Sequence, residues 1–244
     1  MRVHAETRPP ELGALRHACR FCLLHDLCCP MNLGPCDLEQ LQSVVRRSAP
    51  LPAGRLLFRA GDRFTAIYAL RSGCIKSFSL DAGGHETVHS FHLRGELLGF
   101  DAVYPDTHRC NALVLEASSV CVIPYRDVVK LSVDFPSLHG QVLRLMSREF
   151  SKQLMCGEGS GGTQRTAAFL LNVYERLSRP GSVEFDFRLP MSREDISNYL
   201  GMSPETLSRL LARLQRKRMI AVDRRHIRLL DPSRLKLIAI GVDC

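Results

Sequence analysis

The N-terminus of this 244-residue chain lacks the features of a secretory leader: Met1 to Glu11 carries Arg2, His4, Glu6, Arg8 and two prolines, and no apolar stretch follows. No run approaches the roughly 18 apolar residues of a membrane span. Self-similarity at periods of about 20 to 50 residues, the mark of solenoids and propellers, is missing. So are glycine-rich phosphate loops and acyl-transfer motifs. The expectation is a soluble, cytoplasmic protein of one or two domains, and 45% hydrophobic residues are enough to bury a sizeable core. Ten cysteines are too sparse for a disulfide scaffold in a chain of this length. Cytosolic thiols stay reduced, so their spacing points to metal or redox chemistry instead.

The 33 Lys and Arg exceed the 25 Asp and Glu by 8, which favours an anionic partner such as nucleic acid or membrane. The excess is uneven. From Thr163 to Cys244 there are 15 Lys and Arg against 9 Asp and Glu, net +6, which leaves net +2 for the first 162 residues.

The first 37 residues are loop-like and hold five of the cysteines, Cys19, Cys22, Cys28, Cys29 and Cys36, while Pro30, Gly34 and Pro35 oppose a long helix. A short helix is expected from Asp37 to Arg47. Short runs follow at Arg55 to Phe58, Ile67 to Ser72, Ile75 to Leu80, Glu86 to Leu93 and Asn111 to Ile123, punctuated by glycines. Strands at this spacing describe a sandwich or barrel. From Pro136 the residues Leu138, Val142, Leu143, Leu145, Met146, Phe150 and Leu154 keep a helical period but cover too wide an arc for one flank. That helix either packs on its own domain or meets a partner helix as a dimer interface. Gly157 to Gly162 reads as a linker. Beyond it we expect a helix from Arg165 to Leu177, a strand-like run from Val183 to Leu189, two helices separated by Gly201, and a closing hairpin from Met219 to Leu230.

Those two helices carry the clearest local signals. Ser192 with Asp195 three residues on forms a capping pair, and Gly201 ends the helix near Leu200. Ser203, Pro204 and Glu205 restart it with a cap, a first-turn proline and an acid at the positive end of the dipole. Two short helices about a glycine-containing turn make a helix-turn-helix. At roughly 100° per residue, Leu207, Leu210, Leu211 and Leu214 gather on one face of the second helix, opposite Glu205, Ser208, Arg209 and Ala212. Arg pairs with guanine, Glu accepts from cytosine and Ser takes either, while Arg213, Arg216, Lys217 and Arg218 suit phosphates. The plainer alternative is a solvated amphipathic helix.

At the other end, Cys19-x2-Cys22-x5-Cys28 supplies three thiolates, whereas a 4Fe-4S cluster usually takes four. Cys29, Cys36, Cys74, Cys110, Cys121, Cys156 and Cys244 are all candidates for the fourth, and spacing does not choose among them. Zinc, with His17 and His25 nearby, and unligated cysteines are the competing readings.

Asp195 to Gly201 followed by Glu205 to Leu211 resembles the C-terminal motif of the Crp/Fnr regulators, specifically the Fnr branch. Phe58 to Gly61, Arg71 to Gly73 with Lys76, Phe91 to Leu93 and Gly99 to Ala102 resemble the sensory barrel of that family, and Arg144 to Ser147 with Glu149 its dimerisation helix. The resemblance implies an α+β protein. Its parts would be a cysteine-rich cluster-binding segment over 1–36, a cyclic-nucleotide-binding-like jelly-roll barrel over 37–134, a dimerisation helix over 135–158 and a winged helix-turn-helix over 163–244. It implies base reading by Glu205, Ser208 and Arg209 at palindromes of TTGAT half-sites, with Arg213 alongside on the DNA. It also selects the fourth thiolate: Ser119 to Pro124 matches the place where the oxygen-sensing members keep it, which gives Cys19, Cys22, Cys28 and Cys121. The implied cofactor is a 4Fe-4S cluster that oxygen converts to 2Fe-2S. Intact, it would favour a homodimer through Leu143, Met146 and Phe150, with RNA polymerase touched through Asp81 to Gly84. Where the best-known relative has a repelling aspartate this chain has Gln153, so dimerisation should depend less strictly on the cluster.

Two rivals remain. A cyclic-nucleotide-responsive regulator would use Gly95-Glu96-Leu97 and Arg109, but Cys110 stands where a hydroxyl residue would contact phosphate; Glu96 then reads as a turn residue and Arg109 as a surface charge. A redox protein or enzyme built on a cluster or zinc would draw on His85, His89 and His92. In a strand His85 and His89 share a face opposite His92, no carboxylate or nucleophile accompanies them, and all three read as surface histidines.

Overall fold

The computed structural model describes residues 44–134, 161–178 and 185–241, together with Gly140, Leu143, Arg144, Met146 and Ser147. The chain divides into two compact units near residue 155, the hairpin tip Leu80–Ser90 grouping with the second.

The first unit is built from β1 (Arg46–Arg47), β2 (Leu56–Phe58), β3 (Ala66–Leu80), β4 (Glu86–His92), β5 (Leu97–Leu98) and β6 (Asn111–Pro124), followed by α1 (Tyr125–Asp134). The sheet order is β1-β6-β3-β4, with β2 also on β6 and β5 on β3. The long strands are apolar on both faces. Ile67, Ala69, Cys121 and Ile123 join one core cluster with Phe64 and Val128, while Leu70 and Val120 join another with Leu51, Phe58, Ile75 and Val114. Side chains two apart share a face, so each long strand feeds a different core cluster from each of its two faces.

Three boundaries differ from the sequence reading. The runs on either side of Gly73 form one strand, because Gly73 adopts φ +92° and carries the chain through register shifts against β6 instead of ending it. Arg46 and Arg47, expected as the end of a helix, pair with Val122 and Cys121 of β6. The ladder continues through Ser48, whose N–H donates to the Val120 carbonyl at 2.9 Å, and this pairing overrides the local pattern. Finally, α1 precedes Pro136. Its Val128, Val129 and Val133 gave it a strand-like composition. Further on, Gly140, Leu143, Arg144, Met146 and Ser147 are helical, as expected.

The second unit contains α2 (Gly162–Leu177), β7 (Asp186–Arg188), α3 (Arg193–Tyr199), α4 (Pro204–Arg216), β8 (Ile220–Asp223), β9 (His226–Leu229) and α5 (Pro232–Ala239). Its sheet runs β7-β9-β8, all antiparallel. Gly162 already belongs to α2, so the linker reading extended one residue too far. The terminal helix α5 went unread although its signals are present: Asp231 caps it by accepting from Arg234 N–H at 2.9 Å, and Pro232 follows. Ala167, Leu170 and Val173 of α2 are buried, as are Leu207 and Leu214 of α4, Ile227 of β9 and Leu235 of α5. No helix among the described residues is long and apolar enough to cross a membrane.

Candidate nucleic-acid interface and cluster-ligand site

The ends of α3 and α4 are fixed by side chains. Ser192 Oγ accepts from Asp195 N–H at 3.0 Å and the Asp195 carboxylate accepts from Ser192 N–H at 3.1 Å, closing the expected capping box. Gly201 takes φ +61°, which turns the chain without a Cβ penalty. Met202 N–H then returns to Ser197 O at 3.0 Å, and Arg165 Nε of α2 donates to Leu200 O at 3.1 Å, tying the turn down. Ser203 caps α4. Leu207, Leu211 and Leu214 are buried at 1–5% exposure and Leu210 is half-buried, whereas Glu205, Ser208, Arg209, Ala212 and Arg213 are exposed. The two faces therefore divide as the angular sorting requires.

On the exposed face the polar groups are ordered. Arg209 Nη2 donates to Thr206 Oγ1 at 3.1 Å, and Ser208 Oγ donates to Pro204 O at 2.9 Å. The Glu205 carboxyl lies below its ordinary value, held down first by its own backbone N–H, then by the Ser203 side chain and by the charge of Arg209. It is an ionised acceptor at neutral pH. Arg213, Arg216 and Arg218 are exposed beyond it, with Lys217 half-buried. A helix end with an acceptor, a hydroxyl and a guanidinium, followed by a cationic tail, has the donor and acceptor set that reads base edges and phosphates.

Of the four expected cluster ligands only Cys121 lies within the described residues; Cys19, Cys22 and Cys28 lie outside them. Cys121 sits on β6 at 9% exposure among Phe64, Ile67, Ala69 and Ile123. Its register partners are Ala69 of β3 on one side and, on the other, Arg47 of β1, the strand that follows the cysteine-bearing segment in the chain. The other described thiols are poorer ligands. Cys74 is fully buried on β3, and burial together with the Asp101 carboxylate pushes the Cys110 thiol up to about 12. Among the described residues no group of three His, Cys, Asp or Glu side chains is arranged to hold a metal ion. Thiolate donors are what iron-sulfur clusters take, and Cys121 is the described thiol that lies beside the strand following the cysteine-bearing segment.

Residues 49–133 match the cyclic nucleotide-binding domain and residues 164–238 the Crp-like helix-turn-helix domain. The fumarate and nitrate reduction regulatory protein of Vibrio cholerae is 40% identical over 232 residues, 94% of this chain and 93% of that protein. The chain belongs to the Crp/Fnr family. The transcriptional activator Anr of Pseudomonas protegens is 38% identical over 239 residues, 96% of this chain and 98% of Anr. Among solved structures, FixK2 from Bradyrhizobium japonicum has a similar fold, with a TM-score of 0.72 at 24% identity over 80% of this chain and 97% of that one. The protein is an Fnr/Anr-type transcription regulator, a role that is not enzymatic.

Within this Crp/Fnr regulator the rival constellation comes apart. His85 and His89 are exposed, but His92 is not the surface histidine expected: it is 9% exposed and its Nε2 shares a 2.7 Å hydrogen bond with Ser77 Oγ. It falls on the inward face of β4, where a hydroxyl satisfies the ring nitrogen. Glu96 is a turn residue, its carboxylate accepting from Leu93 N–H at 3.0 Å, and Arg109 is exposed. The sequence reading missed the Asp101 hub. That carboxylate accepts from Arg109 N–H at 2.9 Å and from Cys110 Sγ at 3.5 Å, and it pairs with His108 Nδ1 at 3.4 Å. His108 is buried and stacks on Phe58 with centroids 3.7 Å apart. A residue that gathers partners seven to nine positions downstream leaves no periodic trace. Of the expected dimer contacts, Leu143 is 54% exposed and Met146 half-buried, while Phe150 and Gln153 lie outside the described residues.

Proposed function

We propose that this protein is an oxygen-responsive regulator of anaerobic metabolism that activates or represses genes from palindromic TTGAT sites. The observation that carries the DNA half is the face of α4: three leucines buried beneath Glu205, Ser208 and Arg209, with Arg213 beyond them to grip phosphate. Two such helices, one from each chain of a homodimer, fit half-sites one helical turn apart. Leu143, bare on helical backbone, supports a partner chain there, with Met146 and Phe150 as the neighbouring contacts.

The sensing half rests on Cys121 and its register partner Arg47, which supports Cys19, Cys22, Cys28 and Cys121 as holders of a 4Fe-4S cluster. When bound, the cluster supplies an oxygen-labile link between the N-terminal segment and the barrel. Cys121 anchors that link on the longest strand pair of the barrel, whose next element in the chain is α1. A change at Cys121 thus reaches the helical region through packed strand, as a bias on a two-state equilibrium. The protein would work in the cytoplasm with RNA polymerase as its partner, and the exposed turn at Asp81 to Gly84 is available for that contact.

Purification without air tests the reading. We expect a coloured protein containing iron and sulfide that is retained on a TTGAT palindrome and released in air. A colourless, zinc-loaded protein, or retention indifferent to air, would overturn it.

A further inference from the structure

One side chain on the DNA-facing end of α4 is not among the base readers and yet touches one of them. Thr206 Oγ1 receives two hydrogen bonds, from Ser203 Oγ at 3.1 Å and from Arg209 Nη2 at 3.1 Å. Ser203 meanwhile caps the helix by accepting from Thr206 N–H at 3.2 Å. The capping bond uses the Thr206 backbone, so the Thr206 hydroxyl is not needed to start the helix. Its two lone pairs are both occupied, which leaves its own proton as its one further hydrogen-bonding group. Arg209 gives up one of five N–H donors and keeps enough for a two-donor edge toward guanine.

We propose that Thr206 is the specificity-determining positioning residue of the recognition helix. Its hydroxyl holds the Arg209 guanidinium in one pose before DNA arrives, so that less side-chain freedom is lost when the guanine of the half-site is met. The Ser203 hydroxyl in turn fixes Thr206, making a chain from helix cap to base reader. An arginine left unrestrained would still bind phosphate well, because that attraction tolerates many poses. It would discriminate bases poorly. The inference rests on reading α4 as the recognition helix.

Valine keeps the shape of threonine and removes only the hydroxyl, and serine keeps the hydroxyl. Fluorescence anisotropy of the air-free full-length protein would be measured on three duplexes: the TTGAT palindrome, the same palindrome with guanine replaced by adenine, and an unrelated sequence. Thr206→Val is expected to lower the preference for guanine over adenine by roughly threefold to tenfold. Binding to the unrelated duplex and the melting temperature should stay at the wild-type level. Thr206→Ser should keep the preference, and Thr206→Val should cost nothing further in an Arg209→Ala background. A Thr206→Val protein that discriminates like wild type, or a Thr206→Ser protein that loses discrimination as fully as Thr206→Val, would overturn the inference alone. A wild-type protein with no guanine preference would overturn the recognition-helix reading and this inference with it.

Discussion

Asp101 holds two side chains, His108 and Cys110, and the Arg109 backbone N–H in order around one carboxylate. Burial by itself would raise its pKa, but the His108 side chain, the Arg109 N–H and Cys110 together bring it below the ordinary carboxylate value. A carboxylate depressed in the folded state stabilises the fold above its unfolded value, and that contribution disappears as pH falls through the folded value. The barrel should therefore melt at falling temperatures as pH drops below about 4. Asp101→Asn is expected to cost about 1–3 kcal/mol at neutral pH and to flatten that acid limb, as read by thermal unfolding across pH. Equal melting curves for the variant and wild type would remove Asp101 from this role. Among the cysteines, Cys121→Ser should abolish iron retention, whereas Cys110→Ser, whose thiol resists ionisation, should leave iron content unchanged by direct metal analysis.

At the scale of single elements, β3 depends on Gly73. A Cβ there would collide with the Ser118 side chain and lie within 2.8 Å of the Ala117 carbonyl, on a backbone already at φ +92°. Gly73→Ala should cost about 2–5 kcal/mol, measured by denaturant unfolding of the barrel. For α4 the equivalent dependence is the cap, and Ser203→Ala should cost about 1 kcal/mol in the second unit. These two elements also mark what a sequence makes legible. The helix-turn-helix was readable almost to the residue, because caps, proline and a leucine stripe are local signals that the fold obeys. Strand β1 was not. Its two arginines look like the end of a helix, and only their pairing with Val122 and Cys121, some 75 residues away, makes them a strand. Pairing outside any helical or strand period also hid the burial of His92, whose partner Ser77 lies 15 residues back, and the partners of Asp101, whereas Glu205, Ser208 and Arg209 stood out because helical period alone puts them on the open face.

Considered as one molecule, the chain keeps net +6 of its +8 charge in the stretch from Thr163 onward. DNA affinity should fall steeply with salt, and Arg213→Ala should make the slope of log affinity against log salt shallower by about 1 for each phosphate that Arg213 neutralises, without changing sequence preference. Gln153 in place of a repelling acid leads us to expect dimers of cluster-free protein in sedimentation at micromolar concentration; strictly monomeric protein would contradict this. Strand β1 has a kinetic corollary. Because Arg47 is zipped beside Cys121 and only 18 residues separate it from Cys28, the three leading thiols of the proposed ligand set are leashed to Cys121 at an effective concentration on the order of millimolar, however dilute the protein. Closing the ligand set is then a unimolecular event, while pairing two chains remains second order. Dilution should strip the protein of its partner long before it strips the barrel of its leash.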